Sequence, residues 1–238
     1  MKIVFVALVV LLLLVLLFLS RPSGQHRDPY HIVVARYNED PWSWLPKDDP
    51  YVRVYDKGGD RDGSLDKGTP LDKGTPLENI GRESHTYLTY IVENYDTLPD
   101  VVFFTQGSPD HTGGNSLEYF TGISGNCSEN HHTTKGPYYT FDPDGHMRDQ
   151  VHYGDDLYPC DLNFFDWFTR YICKDVDPRG DITWYMGATF SVKSERILTR
   201  SKEYYEELLN QFPKGQPNPE IGHFFERSWY YMFNCQKI

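Results

Sequence analysis

Positive charge, cysteine and long apolar runs are all scarce in this sequence, and each shortage argues against a class of function. With 23 Lys and Arg against 34 Asp and Glu, the formal net charge is −11. A chain this acidic repels nucleic acid and anionic membrane surfaces, so a polyanion is not its expected partner. The four cysteines (Cys127, Cys160, Cys173, Cys235) include no CxxC pair, which argues against a cysteine-built zinc site. Their even number is compatible with up to two disulfides, or equally with buried free thiols. No phosphate-cradling P-loop and no GxSxG nucleophile turn occurs in the chain.

The one long apolar run, Ile3 to Leu19, holds 17 residues without interruption. That length just spans a bilayer. Phe18 and Pro22 stand where a signal-cleavage site needs small residues, so residues 1–21 are expected to form an uncleaved transmembrane signal-anchor. Flanking charges, Lys2 on one side and Arg21 and Arg27 on the other, do not set its orientation. The acceptor sequence Asn126-Cys127-Ser128 and the even cysteine count favour a lumenal domain, hence a type II single-pass protein of the ER or Golgi. Residues 22–30 read as a stem, and 31–238 as one domain long enough to bury a core.

Within that domain the apolar pattern predicts strands at His31–Ala35, Tyr51–Tyr55, Val101–Thr105 and Ile182–Val192. A helix is expected from Arg82, where Tyr87, Leu88, Ile91, Val92 and Tyr95 recur at three- and four-residue spacing. Further helices are expected over Leu162–Cys173, after a Ser201 cap, and from an Asn218 cap followed by Pro219. The hexapeptide Leu65–Pro70 repeats as Leu71–Pro76, but two Gly- and Pro-rich copies cannot make a solenoid. They read as an inserted surface loop over residues 57–79. Thr112 to about Asp161 shows no sustained period and reads as a long loop region. Strands alternating with helices predict an α/β fold with a mostly parallel sheet flanked by helices.

Ligands in open α/β sheets bind beyond the carboxyl ends of the strands. That places Arg36–Asp40, Gln106–His111 and the segment around Gly187 at one mouth, Gly187 allowing close approach of a ligand or another backbone. On the last helix His223, Glu226, Arg227 and Tyr230 share one face, which presents Glu226 as a base tuned by His223 or Arg227. The competing reading is a structural ion pair of Glu226 and Arg227 with other partners. Asp110 and His111 are the first candidates for a divalent cation such as Mn²⁺ or Mg²⁺, since Asp110 closely follows an apolar strand. The triplets Asp60/Asp62, Asp142/Asp144 and Asp175/Asp177 rank below them. His131-His132 reads as a solvated turn. An aromatic share of 16% suits carbohydrate, whose C–H faces stack on rings, as well as it suits a core.

The segments Val33–Asp40, Asn79–Leu88, Tyr95–Gly107, Gly187–Val192 and His223–Trp229 together resemble an uncharacterised domain-of-unknown-function family, DUF3431, itself similar to glycosyltransferases of the GT-A fold. The resemblance implies a GT-A-like, Rossmann-like sheet that holds a nucleotide-sugar donor, with the last helix facing a glycan acceptor. It implies that Arg36, Asn38 and Glu39 contact the nucleotide and that Arg82 and Glu83 line the donor side. Gln106, Asp110 and His111 would then lie at the metal motif, and Glu226 near the acceptor. The slot reads Gln106-Gly-Ser-Pro-Asp-His111 and lacks the usual Asp-x-Asp. Two further readings stand beside a transferase: a metal-dependent hydrolase using Asp110, His111 and His223, and a non-catalytic, membrane-tethered carbohydrate-binding domain.

Overall fold

The near-continuous apolar runs of the first and third expected strands point to burial on both faces, as in parallel sheets. The computed structural model describes residues 27–58, 74–108, 131–136, 144–146 and 157–235. Its strands are β1 (Tyr30–Arg36), β2 (Val52–Asp56), β3 (Gly74–Pro76), β4 (Val101–Gln106), β5 (His131–Gly136) and β6 (Ile182–Lys193). They form one sheet in the order β3-β2-β1-β4-β6-β5. The first four are mutually parallel, while β6 runs antiparallel to β4 and β5 antiparallel to β6. The fold is therefore mixed α/β with a mostly parallel sheet.

Alternate residues of β1 and β4 separate two cores, as the two-residue strand period requires. Val33, Val102 and Phe104 face the large core, built with helices α1 (Arg82–Asn94), α2 (Phe164–Tyr171), α4 (Lys202–Leu209) and α5 (Glu220–Asn234). The short α3 (Ser194–Ile197) follows β6 directly. Ile32, Val34, Val101 and Phe103 face a smaller core closed by Leu45, Trp42 and Trp44. In the large core, fully buried Phe190 of β6 meets Tyr87, Phe104, Tyr185, Trp229 and Phe233 at ring-centroid distances of 4.6–6.0 Å. This aromatic block fixes α1 and α5 relative to the sheet, and so fixes the side chains they carry.

Three local expectations change. The second hexapeptide ends in a strand: Gly74–Pro76 pairs with Val54–Asp56 at the sheet edge, where a proline removes no needed donor. His131 and His132 open edge strand β5 rather than lying in a turn. Helix α5 starts one residue later than expected, with Pro219 at the cap position, and Asn218 Oδ1 instead accepts from His223 Nε2 at 3.1 Å. The Ser201 cap is present, its Oγ accepting from Tyr204 N at 3.4 Å.

No helix among the described residues is long and apolar enough to cross a membrane. The expected anchor at 1–21, Asn126-Cys127-Ser128, Asp110, His111 and the triplet Asp60/Asp62 lie outside those residues. The alternatives for the cysteines resolve in part. Cys173, after α2, and Cys235, at the end of α5, form a disulfide across 62 residues, with Cα atoms 5.8 Å apart. Cys160 is a free thiol.

A cross-link closing a loop of that length restricts the unfolded chain strongly. Replacing both Cys173 and Cys235 by serine is expected to lower the unfolding free energy by about 2–4 kcal/mol. Denaturant titration should show the loss, and dithiothreitol should reproduce it in the wild-type chain while leaving the double variant unmoved.

Candidate active site

The chain leaves β1 toward β2 on one side and returns through α1 to β4 on the other, so the carboxyl ends of β1 and β4 flank the switch point of the parallel sheet. A cavity of about 380 Å³ opens there, walled by Arg36, Glu39, Lys57, Arg82, Glu83 and Gln106 among others. Each wall residue is positioned by a local device. Beyond β1, the Glu39 carboxylate closes the turn by accepting from the Tyr37 and Asn38 amides at 2.7 and 3.2 Å. Arg36 donates from Nε to the Glu39 carbonyl at 2.7 Å and from Nη1 to buried Asp56 at 2.7 Å. Gly107 packs against this turn, and a Cβ there would lie 2.7 Å from Glu39 Oε2 and push the carboxylate aside. Beyond β4, Gln106 donates to the Gly187 carbonyl at 3.0 Å.

The far wall is the start of α1, where Gly81 and Arg82 both adopt left-handed backbone with φ of 61° and 53°. For Arg82 this conformation costs about 1–2 kcal/mol. Four hydrogen bonds hold this step. Gly81 N and Arg82 N donate to the Gln216 and Pro217 carbonyls at 3.1 and 3.2 Å, and Lys57 Nζ donates to the Ile80 and Arg82 carbonyls. Gly81 cannot carry a side chain, since its Cβ would stand 2.2 Å from the Phe212 ring.

Behind this wall lies a layer of charge shared between α1 and α5. Arg82 Nη1 lies 3.2 Å from both ring nitrogens of buried His223, and its Nε lies 3.7 Å from Glu83 Oε2. His223 Nδ1 is 4.0 Å from Glu226 Oε2, and Glu226 Oε1 pairs with Arg227 Nη1. Arg227 also stands over the Trp184 ring at 5.7 Å. Burial, reinforced by the Glu83 charge and opposed by Arg82, pushes the Glu226 carboxyl up to about 7. His223 is held neutral, lowered to about 3 by burial and by Arg82. Burial brings Lys57 down to about 7 against the pull of Glu83, and Arg227 down to about 10. A carboxyl group poised near neutrality can exchange a proton, and this one stands behind the cavity's Arg82 and Glu83 wall.

The expected residues thus divide. Arg36, Glu39, Arg82, Glu83 and Gln106 reach the cavity wall together. His223, Glu226 and Arg227 lie behind it and join it through Arg82 and Glu83. Asn38 is exposed, and Gly187 enters only through its carbonyl. Asp177 is tied into its own turn, its carboxylate accepting from Arg179 N at 3.0 Å, and no group of three potential metal ligands occurs among the described residues. Lys57, Asn79 and Asn218 also line the cavity, and no sequence pattern points to them as site residues. A lysine closing a strand ahead of two glycines carries no pattern that separates it from a solvated one. Asn218 carries only the pattern of a helix cap.

Residues 32–119 match the family described as "Protein of unknown function (DUF3431)". The matched span holds the whole β1, β2, α1 and β4 side of the cavity, and the α5 side lies outside it. No curated protein and no solved structure matches the chain.

The neutral histidines make the fold acid-sensitive. His85, whose ring packs edge-on against Phe212, is lowered to about 4 by burial and by Lys57. A base with a depressed folded value gives stability that is present above about pH 6.5 and lost as pH falls, because the unfolded chain takes up the proton first. Glu226, raised in the folded state, works in the opposite direction. His85→Leu is therefore expected to shrink the difference in unfolding free energy between pH 7 and pH 5 by about 2 kcal/mol, read by denaturant titration at both values.

Proposed function

We propose that this domain is a membrane-anchored glycosyltransferase that moves a sugar from a nucleotide-sugar to a hydroxyl of a glycan or glycoprotein in the ER or Golgi lumen. The observation that carries the reading is a cation-bearing cavity at the sheet's switch point, backed across its Arg82 and Glu83 wall by a carboxyl group raised toward neutrality. In this reading the nucleotide-sugar occupies the cavity and Glu226 takes the proton of the acceptor hydroxyl. The acceptor oxygen bonds to the anomeric carbon, the bond from that carbon to the diphosphate breaks, and its electron pair leaves with the nucleoside diphosphate. Arg36 meets the charge of that leaving group. A Mn²⁺ or Mg²⁺ ion held by Asp110 and His111 would supply further neutralisation of the diphosphate.

His223 supports this assignment over the hydrolase. A metal ligand needs an exposed nitrogen lone pair, whereas this buried ring is engaged by Arg82 and by Asn218. Its place suits positioning of Arg82 and Glu226. The disulfide fits an oxidising lumen, since such links persist outside the reducing cytosol.

The purified full chain in detergent should be stabilised against heat by at least one member of a nucleotide-sugar panel, with or without manganese. Glu226→Gln should keep that stabilisation and lose turnover by about 10²–10⁴-fold. Absence of stabilisation by every nucleotide would sink the transferase reading. Full retention of donor-dependent effects with no turnover in the wild type would leave the carbohydrate-binding domain.

A further inference from the structure

A second cavity of about 380 Å³ adjoins the first, lined by Asp56, Gly58, Pro76, Leu77 and Glu78, and the two share Lys57 and Asn79. Lys57 therefore stands at their junction, at the carboxyl end of β2, with only 5% of its surface exposed. An ammonium group has three N–H donors. Two of them go to the Ile80 and Arg82 carbonyls, and among the described residues no carboxylate makes an ion pair with Nζ. Glu83 acts on it only at longer range, and burial dominates. A buried cation with one donor unspent and no carboxylate in contact is a costly arrangement for a purely structural contact, because a neutral donor would hold the same two carbonyls without the desolvation penalty. The strained Arg82 backbone, whose carbonyl Lys57 grips, marks the same spot as one where conformation is kept at a cost.

We infer that Lys57 is an oxyanion receptor at the junction of the two cavities, taking a phosphate or diphosphate group that lies inside a longer ligand. The ligand's two ends then occupy the two lobes, one toward Arg82 and Gln106, the other toward Asp56 and Glu78. Identifying the whole ligand as a nucleotide-sugar rests on the transferase reading, while the oxyanion at Lys57 does not. Glu83 and His85 on α1 interact electrostatically with Lys57, and the other charged groups lining the two cavities around it are Arg82 on α1, Arg36 at the end of β1, Glu39 beyond it, and Asp56 and Glu78 in the second lobe. Because bound anion and lysine proton attract, anion binding should hold Lys57 protonated to higher pH.

Calorimetry on the full chain in detergent, with EDTA present, would titrate inorganic pyrophosphate and inorganic phosphate at pH 6.5 and pH 8.5. Pyrophosphate is expected to bind at least about tenfold more weakly at the higher pH, although its own negative charge grows. Lys57→Gln should lose at least about tenfold at pH 6.5 and lose the pH dependence. Phosphate binding as tightly as pyrophosphate would assign a single phosphoryl group; preference for pyrophosphate, and for nucleoside diphosphates over it, would assign an internal diphosphate. Should Lys57→Gln not fold, wild-type chain with ¹³C-labelled lysine serves: pyrophosphate must raise the midpoint of the lysine resonance that titrates near neutrality. No pyrophosphate binding at millimolar concentration, or binding indifferent to Lys57 and to pH, overturns the inference. Pyrophosphate bound through Lys57 with no nucleotide-sugar stabilising the chain overturns the transferase reading alone.

Discussion

The site depends on the grip of one buried ammonium on a turn that its sequence disfavours. Lys57, carried by β2, reaches the carbonyls on either side of the left-handed Gly81–Arg82 step, and the segment before α5 supplies the Gln216 and Pro217 carbonyls to the amides of the same step. Three stretches far apart in sequence thus meet at two residues. Left-handed backbone at Arg82 is costly, and these hydrogen bonds offset that cost. The clamp also sets where α1 begins, and with it the position of Glu83 on the first turn.

Burial and pairing compete throughout the charged layer, and their balance decides what each group can do. For His223 both effects act in one direction, since burial and Arg82 each oppose protonation; it is a neutral spacer. For Glu226 they conflict. Burial and Glu83 favour the protonated acid while Arg82 favours the carboxylate, and burial wins far enough to bring the group to the middle of the physiological range. Glu83 keeps one carboxylate oxygen buried without a hydrogen-bond partner, a cost that an entirely structural layer would have shed. The layer resembles a poised site more than a stabilising one, because buried ion pairs rarely repay their desolvation.

How much of this was legible depended on whether the information was local. Strands β1, β2 and β4 and helix α1 were readable because burial on two faces, or on one helical stripe, repeats within a few residues. Edge strands β3 and β5 were not, since Gly74-Thr-Pro76 and His131-His-Thr-Thr-Lys-Gly136 lack apolar repetition and are held by their neighbours. The wall residues at the ends of β1 and β4 could be placed because open parallel sheets bind ligands there. Lys57 could not, because its importance lies in a contact with residues 80 and 82, which no pattern around position 57 announces. The stripe on α5 was visible, yet its neighbours across the layer, Arg82 and Glu83, come from another helix, and only the packing brings them together.

That packing is itself the reason a base on α5 can be held in register with a cavity formed by the sheet. Trp229 lies one turn beyond Glu226 on the helix and is fully buried against Tyr87, Phe190, Phe225 and Phe233. Tyr87 in turn lies one turn beyond Glu83 and anchors α1 to β6 by donating to the Ala188 carbonyl at 3.1 Å. The two carboxylates are thus each mounted one turn from an aromatic residue of the same cluster, and the disulfide pins the far end of α5 to the segment after α2. Charge placed on rigid elements keeps its geometry when a ligand arrives, and that is the condition under which a buried carboxylate near neutrality serves chemistry rather than merely weakening the fold.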